Sequence, residues 1–152
     1  MPDIQLNPTW KTTVQIGTAK TGDAWTYAPL CAGIENLDEA LNVQTQQFFF
    51  LCGQGYAHNE VTGMAPTFSF TGKRVYGDAA QDYIDAMKYE TADKRKTSIK
   101  LVVESAGKTV MTITCDATVT DIVTLGGGNA VSVQPFNCTI ALNGKPVVEP
   151  AA

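Results

Sequence analysis

Between Val110 and Leu125 the chain alternates in chemistry almost without interruption. Met111, Ile113, Cys115, Ala117 and Val119 occupy one phase, and Thr112, Thr114, Asp116, Thr118 and Thr120 the other. A period of two turns one phase to a core and the other to water, so the stretch predicts one long β-strand. At about 3.3 Å per residue it would reach roughly 50 Å, whereas a folded chain of this length is only about 40 Å across. Such a strand must bend or reach beyond its own domain. Asp121 breaks the apolar phase ahead of Val123 and Leu125, and a local bulge or a buried partner would explain it equally well.

The same periodicity predicts further elements. Thr12 to Ile16 reads as a short first strand, and Ala24 to Ala28 as strand-like within an otherwise irregular segment, Thr18 to Ala40, that ends in a helical turn near Asn36. Leu41 to Cys52 alternates and then becomes continuously apolar at Phe48-Phe49-Phe50-Leu51, the pattern of a strand that begins half wet and ends covered on both faces. Gly53 to Ala65 reads as a loop, and Thr67 to Tyr76 as a strand distorted at Gly72. Gly77-Asp78 opens a helix: Asp78 can cap it, Gln81 holds the third helical position, and Ala80, Tyr83, Ile84 and Met87 form one apolar stripe up to Tyr89. Glu90 to Lys96 is a charged connection. Ser98 to Glu104 then pairs with the long strand across Ala106-Gly107-Lys108, and that strand pairs with Ala130 to Leu142 across Gly126-Gly127-Gly128-Asn129, with a bulge at Pro135 where the apolar phase flips. The expected fold is mainly β, an antiparallel barrel or sandwich with one flanking α-helix. It forms a single domain over residues 1–152, with an extended N-terminal arm at 1–10 and a C-terminal tail at 147–152.

Charge narrows the partners. A net charge of -4 repels nucleic acid in bulk, so any contact with DNA should be glancing. The first residues lack the basic start and apolar core of a signal peptide, and no apolar run approaches the roughly 20 residues that span a membrane. The expectation is a chain made in a reducing cytoplasm, in which Cys31, Cys52, Cys115 and Cys138 are buried thiols rather than disulfides.

Candidate chemistry is sparse. His58 and Glu60 superficially match the start of a zinc deaminase signature, but no Pro-Cys-x-x-Cys accompanies them and no nucleophile sits beside them. Gly126 to Gly128 lacks the lysine and following helix of a phosphate loop. Asp93-Lys94-Arg95-Lys96 reads as a solvated loop or a subunit contact. No catalytic residues, metal ligands or cofactor site are expected.

The segment from Phe68 through Gly72, Gly77-Asp78 and Asp82 to Ile84, together with the ending Phe136 to Leu142 and Asn143-Gly144-Lys145-Pro146, resembles bacteriophage tail tube proteins over roughly residues 10–147. The resemblance implies a β-barrel with one helix, assembled as a homo-oligomer into stacked hexameric rings whose inner sheets form a channel for DNA passage during ejection. It implies a virion tail location and, as partners, a tape-measure protein and tail-end proteins. It brings no catalytic residues. In such a channel, a wall free of lysine and arginine would let a polyanion slide, because each phosphate contact adds affinity. Thr112, Thr114, Asp116, Thr118 and Thr120, with Asn42, Gln44 and Gln46, are the expected lumen-facing positions. The N-terminal arm and Thr18 to Ala40 are the expected contacts between rings.

Three other readings compete. A tube subunit of a contractile or secretion-type machine would share the ring architecture. A β-sandwich binding module would need a patch of exposed aromatics, and a small β-barrel enzyme would need a pocket of clustered titratable groups.

Overall fold

A computed structural model describes residue 4 and residues 6–150. The strands are β1 (Thr12–Thr21), β2 (Ala24–Pro29), β3 (Ile34–Ala40), β4 (Gln44–Phe49), β5 (Ala57–Gly63), β6 (Thr67–Lys73), β7 (Lys96–Ser105), β8 (Lys108–Val123), β9 (Pro135–Leu142) and β10 (Val147–Pro150). One α-helix, α1 (Ala79–Ala86), lies between β6 and β7 among the described residues. Eight strands form an antiparallel sheet in the order β2-β1-β7-β8-β9-β6-β3, with β10 also on β8, while β4 and β5 pair only with each other.

The fold is mainly β with one helix, as the alternation predicts, but the sheet does not close. Its two free edges, β2 and β3, are consecutive in the chain, and residues 30–33 join them. The five steps from Pro29 to Ile34 span at most about 18 Å, so the edges stay close at that end and the sheet curls into a barrel with an open seam. Alternate residues of the curled sheet point inward. Val14, Ile16, Phe68, Phe70, Ile99, Leu101, Ala117, Val119, Phe136 and Ile140 are buried there, and α1 adds Ala80, Ile84 and Met87. Each large side chain removed from water contributes about 1.5–3 kcal/mol, which makes this interior the main source of stability.

The long strand is present, and β8 covers sixteen residues. Its length serves three partners. β7 pairs along one edge from Lys108 to Thr118, while β10 and then β9 share the other edge, at Met111–Thr114 and Ala117–Val123. A bulge at Thr120 shifts the register between Val119 and Asp121. Cys115, Ala117 and Val119 face inward before the bulge, and Ile122 and Thr124 are the covered positions after it, while Asp121, Val123 and Leu125 are exposed. The apolar phase therefore does not run on to Leu125. Asp121 sits on the wet face because one extra residue turns the strand over.

Several expectations are corrected. Thr18 to Ala40 is not irregular: β1 runs on to Thr21, a tight turn leads to β2, and the expected helical turn at Asn36 to Ala40 is β3, paired with β6. Leu41 to Cys52 is not a strand covered on both faces; Gln44–Phe49 is exposed throughout. The expected loop at Gly53 to Ala65 contains β5, its hairpin partner. The last long strand starts at Pro135, and Val131 and Val133 lie exposed ahead of it, so there is no phase flip within it. Helix α1 ends at Ala86, with Met87 as its C-cap, short of Tyr89. The C-terminal tail is a strand as far as Pro150, and its last two residues fall outside the described ones. Within the N-terminal arm, residues 1–3 and 5 also fall outside; Thr9–Lys11 forms a 3-10 turn, and Asn7 donates to the Glu104 carbonyl.

The distortion at Gly72 has a steric cause. A Cβ there would lie 2.1 Å from the Gly33 carbonyl oxygen, and the register shifts opposite it, between Ile34 and Asn36. Only glycine lets the two backbones approach this closely.

Candidate functional site: a polar sheet face and an apolar hairpin

The polar phase of β8 forms part of a broad outer face. Directly opposite residues on paired strands share a face, so Lys96, Ser98, Lys100 and Val102 of β7 stand beside Thr118, Asp116, Thr114 and Thr112. β10 brings Val147 and Glu149 alongside Thr114 and Thr112. The face is thus not free of cations, although the Thr112–Thr120 stretch of β8 is: it carries Lys96 and Lys100 of β7 as well as Asp116 and Glu149. Lys96 donates to Thr118 Oγ1 at 3.0 Å, and Lys100 Nζ lies 5.7 Å from the centre of the Tyr27 ring. Asn143 also donates to Thr118, and Thr120 Oγ1 donates to the Thr139 carbonyl. These hydroxyls are held by protein groups, which makes the face polar and evenly balanced in charge.

Asn42, Gln44 and Gln46 are not brought onto that face. They belong to the β4–β5 hairpin and its root, where Asn42 adopts φ 50° and donates its side-chain amide to the Ala65 carbonyl. Gln44 accepts from Thr62 through its backbone oxygen, and Gln46 stands opposite Glu60. Within one chain the two groups of expected channel positions lie on separate sheets.

The hairpin carries the most unusual surface of the molecule. Phe49 is 68 % exposed, Phe50 55 % and Leu51 fully so, and Tyr56 and Val61 are also exposed. Phe48 stacks on Phe50 with ring centres 6.1 Å apart, and His58 tilts against Phe50. His58 contacts Glu60 on the same strand, both exposed. No group of three or more His, Cys, Asp or Glu side chains that could hold a metal occurs among the described residues. Residues 41–65 contain no lysine, arginine or aspartate. That depletion was the legible signal: interface cores shed charge and gather aromatics.

The helix start is a structural knot. The Asp78 carboxylate accepts from the Gln81 backbone N–H, capping α1. Gln81 itself is fully buried: its Oε1 accepts from Val75 N–H at 2.8 Å and from Arg74, while Nε2 donates to the carbonyls of Ala32 and Lys73. Gly77, at φ 91°, turns the chain into the helix and donates its N–H to Asp82. Arg74, its side chain only 3 % exposed, pairs with Asp82 at 2.8 Å and Asp85 at 3.3 Å and lies over the Tyr76 ring. Asp82 and Asp85, on the face of α1 away from the apolar stripe, are thus tied to Arg74. Sequence periodicity gives no sign of Gln81's burial, because its partners are largely backbone atoms, of Lys73 and Val75 just before the helix and of Ala32 across the fold.

The cysteines divide into two pairs. Cys115 and Cys138 are buried, and burial raises both thiols above their ordinary range, Cys138 to about 12. Cys31 and Cys52 are exposed, against expectation, and no disulfide joins the four among the described residues.

No protein-family model matches the chain, and no curated protein matches it. Among solved structures, a chain from the tail of an empty GTA particle, refined with C6 symmetry, aligns with a TM-score of 0.69 at 10% identity, covering 97% of this chain and 100% of that one. A chain from the anti-feeding prophage tube terminating cap aligns at 0.61 with 16% identity, covering 99% and 95%. One from the PVC sheath-tube complex, a contractile injection system in its extended state, aligns at 0.61 with 13% identity, covering 96% and 93%. The shared feature is the fold. This chain has the tail tube fold, with an open antiparallel sheet and one flanking helix.

Proposed function

We propose that this chain is a structural subunit of a phage-type tail tube, assembling into stacked hexameric rings that form a channel for DNA during ejection. The observation that carries the reading is the exposed, charge-poor hairpin, paired only with itself, beside a main sheet whose two edges are unpaired. Monomers rarely leave such apolar area and such edges bare, whereas a subunit completed by its neighbours must. The likeness to the C6-symmetric GTA tail supports six copies per ring. The polar face of β8 is the proposed channel wall, with Lys96 and Lys100 balanced by Asp116 and Glu149 so that a passing polyanion meets little net attraction. Asn42, Gln44 and Gln46 would join the wall only from the hairpin of a neighbouring copy. A tape-measure protein inside the tube and proteins at its ends are the proposed further partners, and the virion tail is the proposed location.

The reading is tested by negative-stain microscopy of the purified protein, combined with cysteines placed at Thr114 and Thr118. Tubes in which these thiols react slowly with a bulky reagent support it. Tubes that label as fast as free subunits overturn the channel-wall assignment, and a chain that never forms rings or tubes overturns the assembly itself. A second reading, a tube subunit of a contractile injection machine, is favoured by the PVC sheath-tube and AFP cap likenesses. It predicts that a sheath protein binds the outside of the same tubes.

A further inference from the structure

The open seam of the barrel is also a trough. At one end of the seam, where Thr12 to Val14 of β1 run past the last β2 pair at Gln15, an open cavity of about 220 Å³ reaches the buried side chains Val14, Leu30 and Phe70 and is flanked by Trp10, Ile34 and Leu37. A cavity of about 150 Å³ already takes a benzene molecule, so this one can take a phenylalanine ring with room to spare. We propose that the trough receives the tip of the β4–β5 hairpin, around Phe50 and Leu51, from a second copy of the chain. This rests on the tube-subunit reading and names the surface on which its copies meet.

The hairpin cannot fill its own trough. Ile34 opens β3 and Leu37 is its middle residue, whereas the hairpin leaves β3 beyond Ala40, about 10–20 Å further along, and β4 adds about 20 Å more. Neither strand folds back, since β4 is exposed along its whole length and β5 as far as Thr62. Aromatic side chains present about 150–250 Å² each, so the uncovered hairpin residues offer several hundred Å², near the ~800 Å² per partner of a standard interface. The hairpin's lack of lysine, arginine and aspartate suits an apolar receptor rather than a charged one. Because donor and receptor are different surfaces, each copy keeps a free hairpin and a free trough for the next, the geometry that a ring or a filament needs.

Two native thiols report on the contact. Cys52 directly follows Leu51 at the hairpin tip, Cys31 lines the trough, and both are exposed, while Cys115 and Cys138 are buried. The full-length protein, concentrated until tubes appear in the microscope, is treated with a short bismaleimide and run on a denaturing gel. A covalent ladder is expected that Cys31→Ser and Cys52→Ser each abolish and Cys115→Ser leaves intact. Tubes without a ladder, or a ladder that survives Cys31→Ser, overturn this contact while leaving the tube reading standing. Persistent monomers overturn both.

Discussion

The guanidinium of Arg95 is hydrogen-bonded to the backbone carbonyl of Thr120 at 3.2 Å, the residue that forms the bulge of β8. It also donates to the carbonyls of Val119, Lys88 and Glu90, so one side chain ties the chain leaving α1 to the point where the long strand turns over. A bulge leaves carbonyls without ladder partners, and the planar fork of five donors suits several of them at once. Arg95→Ala should cost about 2 kcal/mol, the scale of losing hydrogen bonds to a charged group. Arg95→Lys should recover less than half, because one ammonium cannot reach four carbonyls. Urea unfolding midpoints of the two variants check this; equal stability of lysine and arginine would refute it.

Gln81 should prove as important as any core hydrophobe. Replacing it with leucine keeps the volume but strands Val75 N–H and the carbonyls of Ala32 and Lys73 in the interior. Unsatisfied buried groups cost about 1–3 kcal/mol each, partly relieved by relaxation. The expected loss is about 2–4 kcal/mol, measured by thermal or urea denaturation. Asp78→Ala, which removes only the cap, should cost about 1 kcal/mol.

Gly72→Ala should destabilise by about 1–3 kcal/mol, since the new methyl meets the Gly33 backbone rather than a flexible side chain. Gly53→Ala, where a Cβ meets nothing, is the matched control and should be close to neutral in the same assay.

These positions show what the sequence could and could not convey. The β8 alternation, the Asp78 cap, the Ala106-Gly107 turn and the apolar stripe of α1 are local signals, set by backbone period and φ preference, and each element is found where its residues lie. The hairpin was misread because Phe48 to Leu51 has the composition of a buried strand, and composition alone does not distinguish burial within a chain from burial between chains. β3 was missed because Glu35, Asn36, Asp38 and Glu39 are poor strand formers, held by pairing with β6 rather than by propensity. Arg95 reads as part of a solvated loop because its partners are carbonyl oxygens, two of them far along the chain, which leave no mark in residue type. The channel-wall reading joins the β8 threonines to Asn42, Gln44 and Gln46 and leaves out β7, whose Lys96 and Lys100 join the β8 face at a register that sequence does not fix in advance.

Removing apolar surface at the hairpin should separate folding from assembly. Phe50→Ser with Leu51→Ser touches no residue of the core cluster, so circular dichroism and the unfolding midpoint should stay near those of the parent chain. Ring and tube formation should be lost. A double variant that still polymerises would remove the hairpin from the assembly surface.

The most direct test of the central claim is electron microscopy of the purified, concentrated parent chain beside that double variant. The account predicts rings or tubes of constant diameter with sixfold symmetry for the parent and only folded monomers for the variant. A parent chain that remains monomeric at every concentration, or that assembles without sixfold rings, would contradict it.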